Sequence, residues 1–268
     1  MRPLSAEFRR LLIAYCGLGV LTGIPLFLGT AHTDRYFAWT IKPPLTAAFL
    51  GAGYWASAAL NLLAARERLW ARARVAVPAG LVFTSLMLVA TIVHLDRFHL
   101  HSSIRVAQAV AWIWLVVYVL VPTLMLVFLV RQLRLPGDDP PRAAPIPGWT
   151  RIVLVLQGVV MLGVGAPLYL DPLGAASIWP WTLTPLTGRA TGAWLVGLAV
   201  AALQMAREGD FARARDGLIG FAFLGALQCV ALVRYLHTPD WGGPGAWFYL
   251  LFVAGVLGVG VLGWVRAR

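Results

Sequence analysis

Lysine occurs once in this chain, at Lys42, cysteine twice, at Cys16 and Cys229, and acidic residues only 11 times in 268. Lys42 lies between apolar runs, so no lysine is placed inside a run to form a retinal-type Schiff base. Two cysteines give neither a paired metal or redox motif nor a disulfide framework. Their distances from the ends of their runs differ by about six residues, roughly 9 Å of helical rise, which is beyond disulfide reach. Both read as packing residues. The carboxylates are Glu7, Asp34, Glu67, Asp96, Asp138, Asp139, Asp171, Glu208, Asp210, Asp216 and Asp240. None is expected deep inside a run, which disfavours proton or sodium coupling through a buried acid. Phosphate-cradling glycine loops and Ser/His/Asp signatures are also missing, and no cofactor is specified.

What the chain has in quantity is apolar residues, 60% of the total, with a mean hydropathy of +0.77 and only 12% charged residues. That balance points to a bilayer as solvent. The net charge of +11 comes from arginines in short loops between apolar runs, where topology accounts for them, so a nucleic-acid partner is excluded. Eight runs approach the ~20 residues that span a bilayer as a helix. They are Leu11 to Leu28, Leu45 to Ala65, Val75 to His94, Val106 to Val130, Ile152 to Leu170, Ala190 to Ala206, Leu218 to Val233 and Ala246 to Val265. The runs are continuous rather than alternating, which favours helices over a barrel.

The sequence also repeats. A shift of 141 residues lays Arg66-Glu67 and Trp70-Ala71-Arg72-Ala73-Arg74 on Arg207-Glu208 and Phe211-Ala212-Arg213-Ala214-Arg215, and Pro44-Leu45-Thr46 on Pro185-Leu186-Thr187. A shift of 142 lays Gly23, Pro25, Leu26 and Leu28 on Gly165, Pro167, Leu168 and Leu170. Agreement of polar and turn residues at nearly one offset is the mark of internal duplication. The expected fold class is therefore all-α: a polytopic membrane protein of eight transmembrane helices, arranged as two tandem parallel four-helix repeats. Residues 1–135 form the first repeat and 151–268 the second, joined by a proline-rich linker over 136–150. The first run could pass for a signal peptide. Its counterpart lies mid-chain with the same Gly-x-Pro-Leu-x-Leu ending, so it reads as a retained helix.

Of the lysine and arginines, all but Arg35, Lys42, Arg97, Arg105, Arg189 and Arg234 fall at the chain ends and in alternate loops. By the positive-inside rule both termini, Arg268 included, are expected in the cytoplasm. Compact loops and the preference for arginine place the chain in a bacterial cell membrane.

The repeated basic loops carry Arg66, Arg72, Arg74, Arg207, Arg213 and Arg215, which fit topology determination or a dock for anionic headgroups or a membrane-protein partner. On the opposite side, Trp39-Thr40 and Trp181-Thr182 precede proline-led helix starts, whose electropositive N-termini could face one ligand. Arg189 and Arg234 sit at helix ends on that side, where an arginine either reaches the headgroups or builds an anion site. The repeats diverge there: His94 matches Tyr235, Arg189 matches Ala48 and Arg234 matches Val93. His94, Asp96, His99 and His101 form the closest imidazole-carboxylate cluster, a candidate metal site whose spacing matches no established pattern.

Three functions follow as expectations. The first is binding or passage of an amphipathic or anionic small molecule or lipid in an outward crevice between the repeats. Arg189, Arg234, His94 and Tyr235 would hold its polar end, with Trp39 and Trp181 at the rim. The second is a structural subunit that binds a partner through its arginine loops. The third is an outer-face metalloenzyme.

Overall fold

The structure, a computed structural model, describes residues 1–266, so Arg268 lies outside the described residues. The chain is 77% helix, with no strand among the described residues. Eight helices are long and apolar enough to cross a membrane. They are α1 Ala6–Gly23, α2 Pro44–Arg66, α3 Ala76–Val93, α4 Arg105–Leu133, α5 Gly148–Leu170, α6 Pro185–Glu208, α7 Phe211–Arg234 and α8 Pro244–Arg266. The protein is an all-helical multi-pass membrane protein.

Local chemistry sets the helix boundaries. α6 starts at Pro185, ahead of its apolar run, because Thr184 and Thr187 form a reciprocal capping box and proline fits the first turn. It stops where Gly209 takes φ +61°, a left-handed cap that glycine adopts without penalty. α1 runs on through a π-helical turn, Ile24–Leu28, at Pro25, which has no N–H to give the regular ladder.

The helices form a ring in the order α1, α2, α7, α8, α5, α6, α3, α4, each packed on the next and α4 returning to α1. Advancing every helix by four leaves this set of neighbours unchanged. The most extensive partner of α3 is α6, and α7 packs far more closely on α2 than on α6. The slightest seams are α1 with α4 and α5 with α8. α2, α3, α6 and α7 surround the centre, where a cavity of about 50 Å3 is lined by Gly53 and Trp194, Ala56 and Gly197, and Ala79 and Gly220, among others. Each of these pairs is related by the 141-residue shift.

One end of the ring gathers the N-terminus and the basic loops. There Leu4 N donates to Arg68 O at 2.9 Å and Trp70 N to Arg2 O at 3.1 Å. At the shifted positions, Ile146 N donates to Gly209 O at 3.0 Å and Phe211 N to Ala144 O at 2.7 Å. The end of the proline-rich segment is thus hydrogen-bonded to the residues that open α7, and α5 begins at Gly148.

This arginine end also departs from the expectation that no acid is buried in a span. Glu208 and Asp216, in α6 and α7, are 3% and 4% exposed. Arg74 clamps Glu208 with two hydrogen bonds of 2.5 Å and reaches Asp139 at 2.6 Å. Arg213 adds a bond of 3.3 Å to Glu208, and Gln204 one of 2.7 Å. The hydrogen bonds of Arg74 to Glu208, ahead of the opposing burial, raise its pKa. Hydropathy puts these acids at run ends, beside water. Folding brings the segment after α4 and the loop after α2 over them and closes the water out.

Candidate functional site

The opposite, histidine end holds two crevices. After its π turn the chain makes a 3-10 turn, Thr30–His32, and a short helix, Thr33–Tyr36, then a bent loop that leads to the start of α2. Thr33 Oγ1 accepts from Ile41 N at 2.9 Å and closes that loop on itself. His99 ties it to the loop after α3: its backbone N donates to Ala38 O at 2.8 Å, and its Nδ1 lies 2.9 Å from Phe37 O. A carbonyl can only accept, so Nδ1 carries a proton, and Nε2 lies 3.0 Å from Thr40 Oγ1.

Two pockets share Thr40 and Thr184. A crevice of about 830 Å3 lies between the loop from Thr30 to Pro44 and the residues before α6, and its wall includes Asp34, Lys42 and Thr182. The starts of α2 and α6 both border it, which adds the positive ends of two helix dipoles. Beside it a pocket of about 360 Å3 is lined by Trp39, His94, Arg97 and the first residues of α6. Trp39 is 2% exposed, and its Nε1–H has no acceptor among the described residues. Leaving such a donor unpaired costs about 1–3 kcal/mol, so it marks an unused binding group.

Arg189 donates from Nη1 to His94 Nε2 at 2.8 Å. Arginine is always the donor, so His94 is neutral in this pair, with its proton on Nδ1. Burial, and then the charge of Arg189, hold the His94 pKa below its ordinary 6.5. Arg97 stands at the pocket mouth and is partly offset by Asp96 at 2.9 Å.

Arg234 and Tyr235 form a second cluster. Arg234 donates to Phe27 O at 2.6 Å and to Tyr235 Oη at 3.3 Å, filling a carbonyl that the wide turn at the end of α1 leaves open. Tyr235 Oη in turn shares a hydrogen bond with Thr30, itself on the crevice wall. The four residues grouped in the sequence therefore form two pairs, His94 with Arg189 and Arg234 with Tyr235. Of the four only His94 lines a pocket, Arg234 and Tyr235 reach the larger crevice through Thr30, and no hydrogen bond joins the two pairs among the described residues.

The two tryptophans are buried. Trp39 packs within 4.9 Å of both Phe37 and Trp114, and Trp181 donates to Thr46 Oγ1 at 2.8 Å and packs 5.1 Å from Tyr249. Only Trp39 reaches a pocket of this end. The four candidate metal ligands do not converge: both nitrogens of His99 are engaged, Asp96 faces Arg97, and His101 is exposed. Among the described residues no three His, Cys, Asp or Glu side chains are grouped to hold a metal ion. At the arginine end, Arg74 and Arg213 are bound by Glu208, whereas Arg66, Arg72, Arg207 and Arg215 are exposed. Sequence reading missed Arg97, whose position on the pocket wall depends on a three-residue helical turn, Leu95–Arg97.

No family model, curated protein or solved structure matches the chain.

Proposed function

We propose that this membrane protein holds an amphipathic or anionic small molecule, such as a lipid headgroup, in the histidine-end crevice. The carrying observation is the wall of the smaller pocket, which brings together the guanidinium of Arg97 and His94 backed by Arg189, with the unpaired Nε1–H of Trp39 buried beside them. Donors converging on a concave surface fit oxygen acceptors, above all phosphate or carboxylate. The helix starts at Pro44 and Pro185 add to the field, while Arg234 and Tyr235 steady the far wall through Thr30.

The crevice lies between two tandem, parallel four-helix units in this reading. Support comes from the ring order, which survives an advance of four helices, and from the paired backbone bonds at Leu4 and Ile146 and at Trp70 and Phe211. The excess of arginine at the other end favours both termini in the cytoplasm of the cell membrane, with the crevice facing out. Cysteines placed by Asp240→Cys and Asp138→Cys test that orientation. An impermeant maleimide applied to whole cells should label the first and spare the second, and the reverse pattern would refute it.

Ligand binding is tested by native mass spectrometry of protein purified in mild detergent and titrated with dihexanoyl phosphatidylglycerol. Arg97→Ala combined with Arg189→Ala should weaken binding about tenfold or more, as expected for lost charge-assisted hydrogen bonds. Arg151→Ala, at the other end, should leave it unchanged. Equal affinity in all three proteins overturns the reading.

A further inference from the structure

The slight seam between α1 and α4 encloses a slot of about 250 Å3, separate from the histidine-end crevices. Its walls include Leu18 and Thr22 of α1, Tyr54 of α2, and Trp114 and Tyr118 of α4. Two further lining residues, Leu21 and Ile113, are 66% and 58% exposed on the surface that faces hydrocarbon. The slot therefore opens sideways into the bilayer, and its occupant arrives dissolved in lipid.

At its base Tyr54 Oη and Tyr118 Oη lie 2.5 Å apart, on side chains 6% and 4% exposed. One hydroxyl donates to the other. The acceptor's own proton is then left with no acceptor among the described residues. An O–H in an apolar site costs about 1–3 kcal/mol when unpaired, so the pair is suited to a ligand that brings an acceptor.

Depth narrows the class. Tyr54 lies ten residues inside α2, about 15 Å from the histidine end, which is near the middle of a ~30 Å hydrocarbon core. Phospholipid esters and headgroups stay at the interface and do not bring a carbonyl to that depth. The indole of Trp114 stacks on Tyr118 at 4.3 Å, making a flat aromatic wall. Flat rings pack well against such a face.

We propose that the α1/α4 slot binds a membrane-dissolved ring compound bearing carbonyl groups, of the quinone class, its carbonyl accepting from the Tyr54–Tyr118 pair and its tail leaving between Leu21 and Ile113.

The test uses the full-length protein in nanodiscs, with decylubiquinone as probe and decylbenzene as a tail-matched compound without carbonyls. Binding is read by quenching of tryptophan fluorescence and by bound stoichiometry. Wild type should bind decylubiquinone saturably and decylbenzene at least tenfold more weakly. Thr22→Phe, which fills the slot, should abolish saturable binding. Tyr54→Phe with Tyr118→Phe should weaken it about tenfold, the equivalent of one lost hydrogen bond. Leu18→Phe is the second filling variant should Thr22→Phe not fold. Val160→Phe at the α5/α8 seam should bind normally, as should Arg189→Ala, which separates this site from the crevice. Saturable decylubiquinone binding that survives filling of the slot, or decylbenzene binding equally well, overturns the proposal.

Discussion

Gly53 of α2 lies against the indole of Trp194 of α6, and a Cβ built on that glycine would come within 2.9 Å of the ring. The two residues occupy matching positions in the two halves of the sequence. Near the centre of the ring one large side chain fills the space that two small ones would leave open, and the matching position on the other helix must then be bare. Trp194 also packs 4.0 Å from Phe83 and 5.2 Å from Tyr54, so aromatic rings crowd the middle of the bundle and leave only the small central cavity.

Gly53→Ala should therefore destabilise the protein by about 1–3 kcal/mol, as expected for overpacking a filled site. Adding Trp194→Phe should recover part of that loss, because the smaller ring gives room. Thermal unfolding of the two variants in detergent checks both outcomes, and additive losses would show that the two side chains do not compete.

Gly51 and Gly192 give a paired experiment. A Cβ on Gly51 would lie 2.7 Å from Phe27 N, and one on Gly192 would lie 2.7 Å from Tyr169 N. Backbone atoms cannot swing aside as a side-chain tip can. Gly51→Ala and Gly192→Ala should each lower stability by about 1–3 kcal/mol, and by similar amounts. Unfolding midpoints of the single variants provide the comparison.

The ion cluster at the arginine end should behave as a unit. Arg74→Ala leaves Glu208 buried with a weakened set of partners, and breaking such a pair costs about 3–5 kcal/mol. Glu208→Gln added to Arg74→Ala should cost little more, since the uncompensated charge is then gone. A double-mutant cycle on unfolding free energy measures the coupling.

His94 should titrate below 6.5, because burial and Arg189 favour its neutral form. Its folded pKa is depressed, so the stabilising contribution is present above pH 6.5 and is lost as pH falls through the lower folded value. NMR titration of ring-labelled histidine should place the His94 midpoint under 6.5. Arg189→Gln should move it upward, though not fully, since burial remains.

The spans were legible because hydropathy reports the transfer of each segment into lipid, a property of one segment at a time. Neighbour relations are not such a property. Glu208 and Asp216 read as interfacial acids at the ends of apolar runs, yet loops distant in sequence cover them. The prolines from Pro136 to Pro147 marked a break in helix correctly, but nothing in composition says that Ala144 and Ile146 would bond to the loop before α7. His94 and Arg189 could be singled out as histidine-end residues where the halves differ. Their direct contact could not, because it depends on α3 lying against α6. Trp39 and Trp181 carried the composition of an interfacial belt, and only the packing of Phe37, Trp114 and Tyr249 around them explains their burial.

The ring order bears on how the molecule comes into being. α2 and α3 meet each other only slightly, as do α6 and α7, and each of the four also packs extensively on one helix of the other set, α2 on α7 and α3 on α6. A polypeptide severed in the proline-rich segment would leave each fragment with a bare seam that only its companion covers. In the first four helices the exposed flanks of α2 and α3 are covered only by α7 and α6, which come later in the chain.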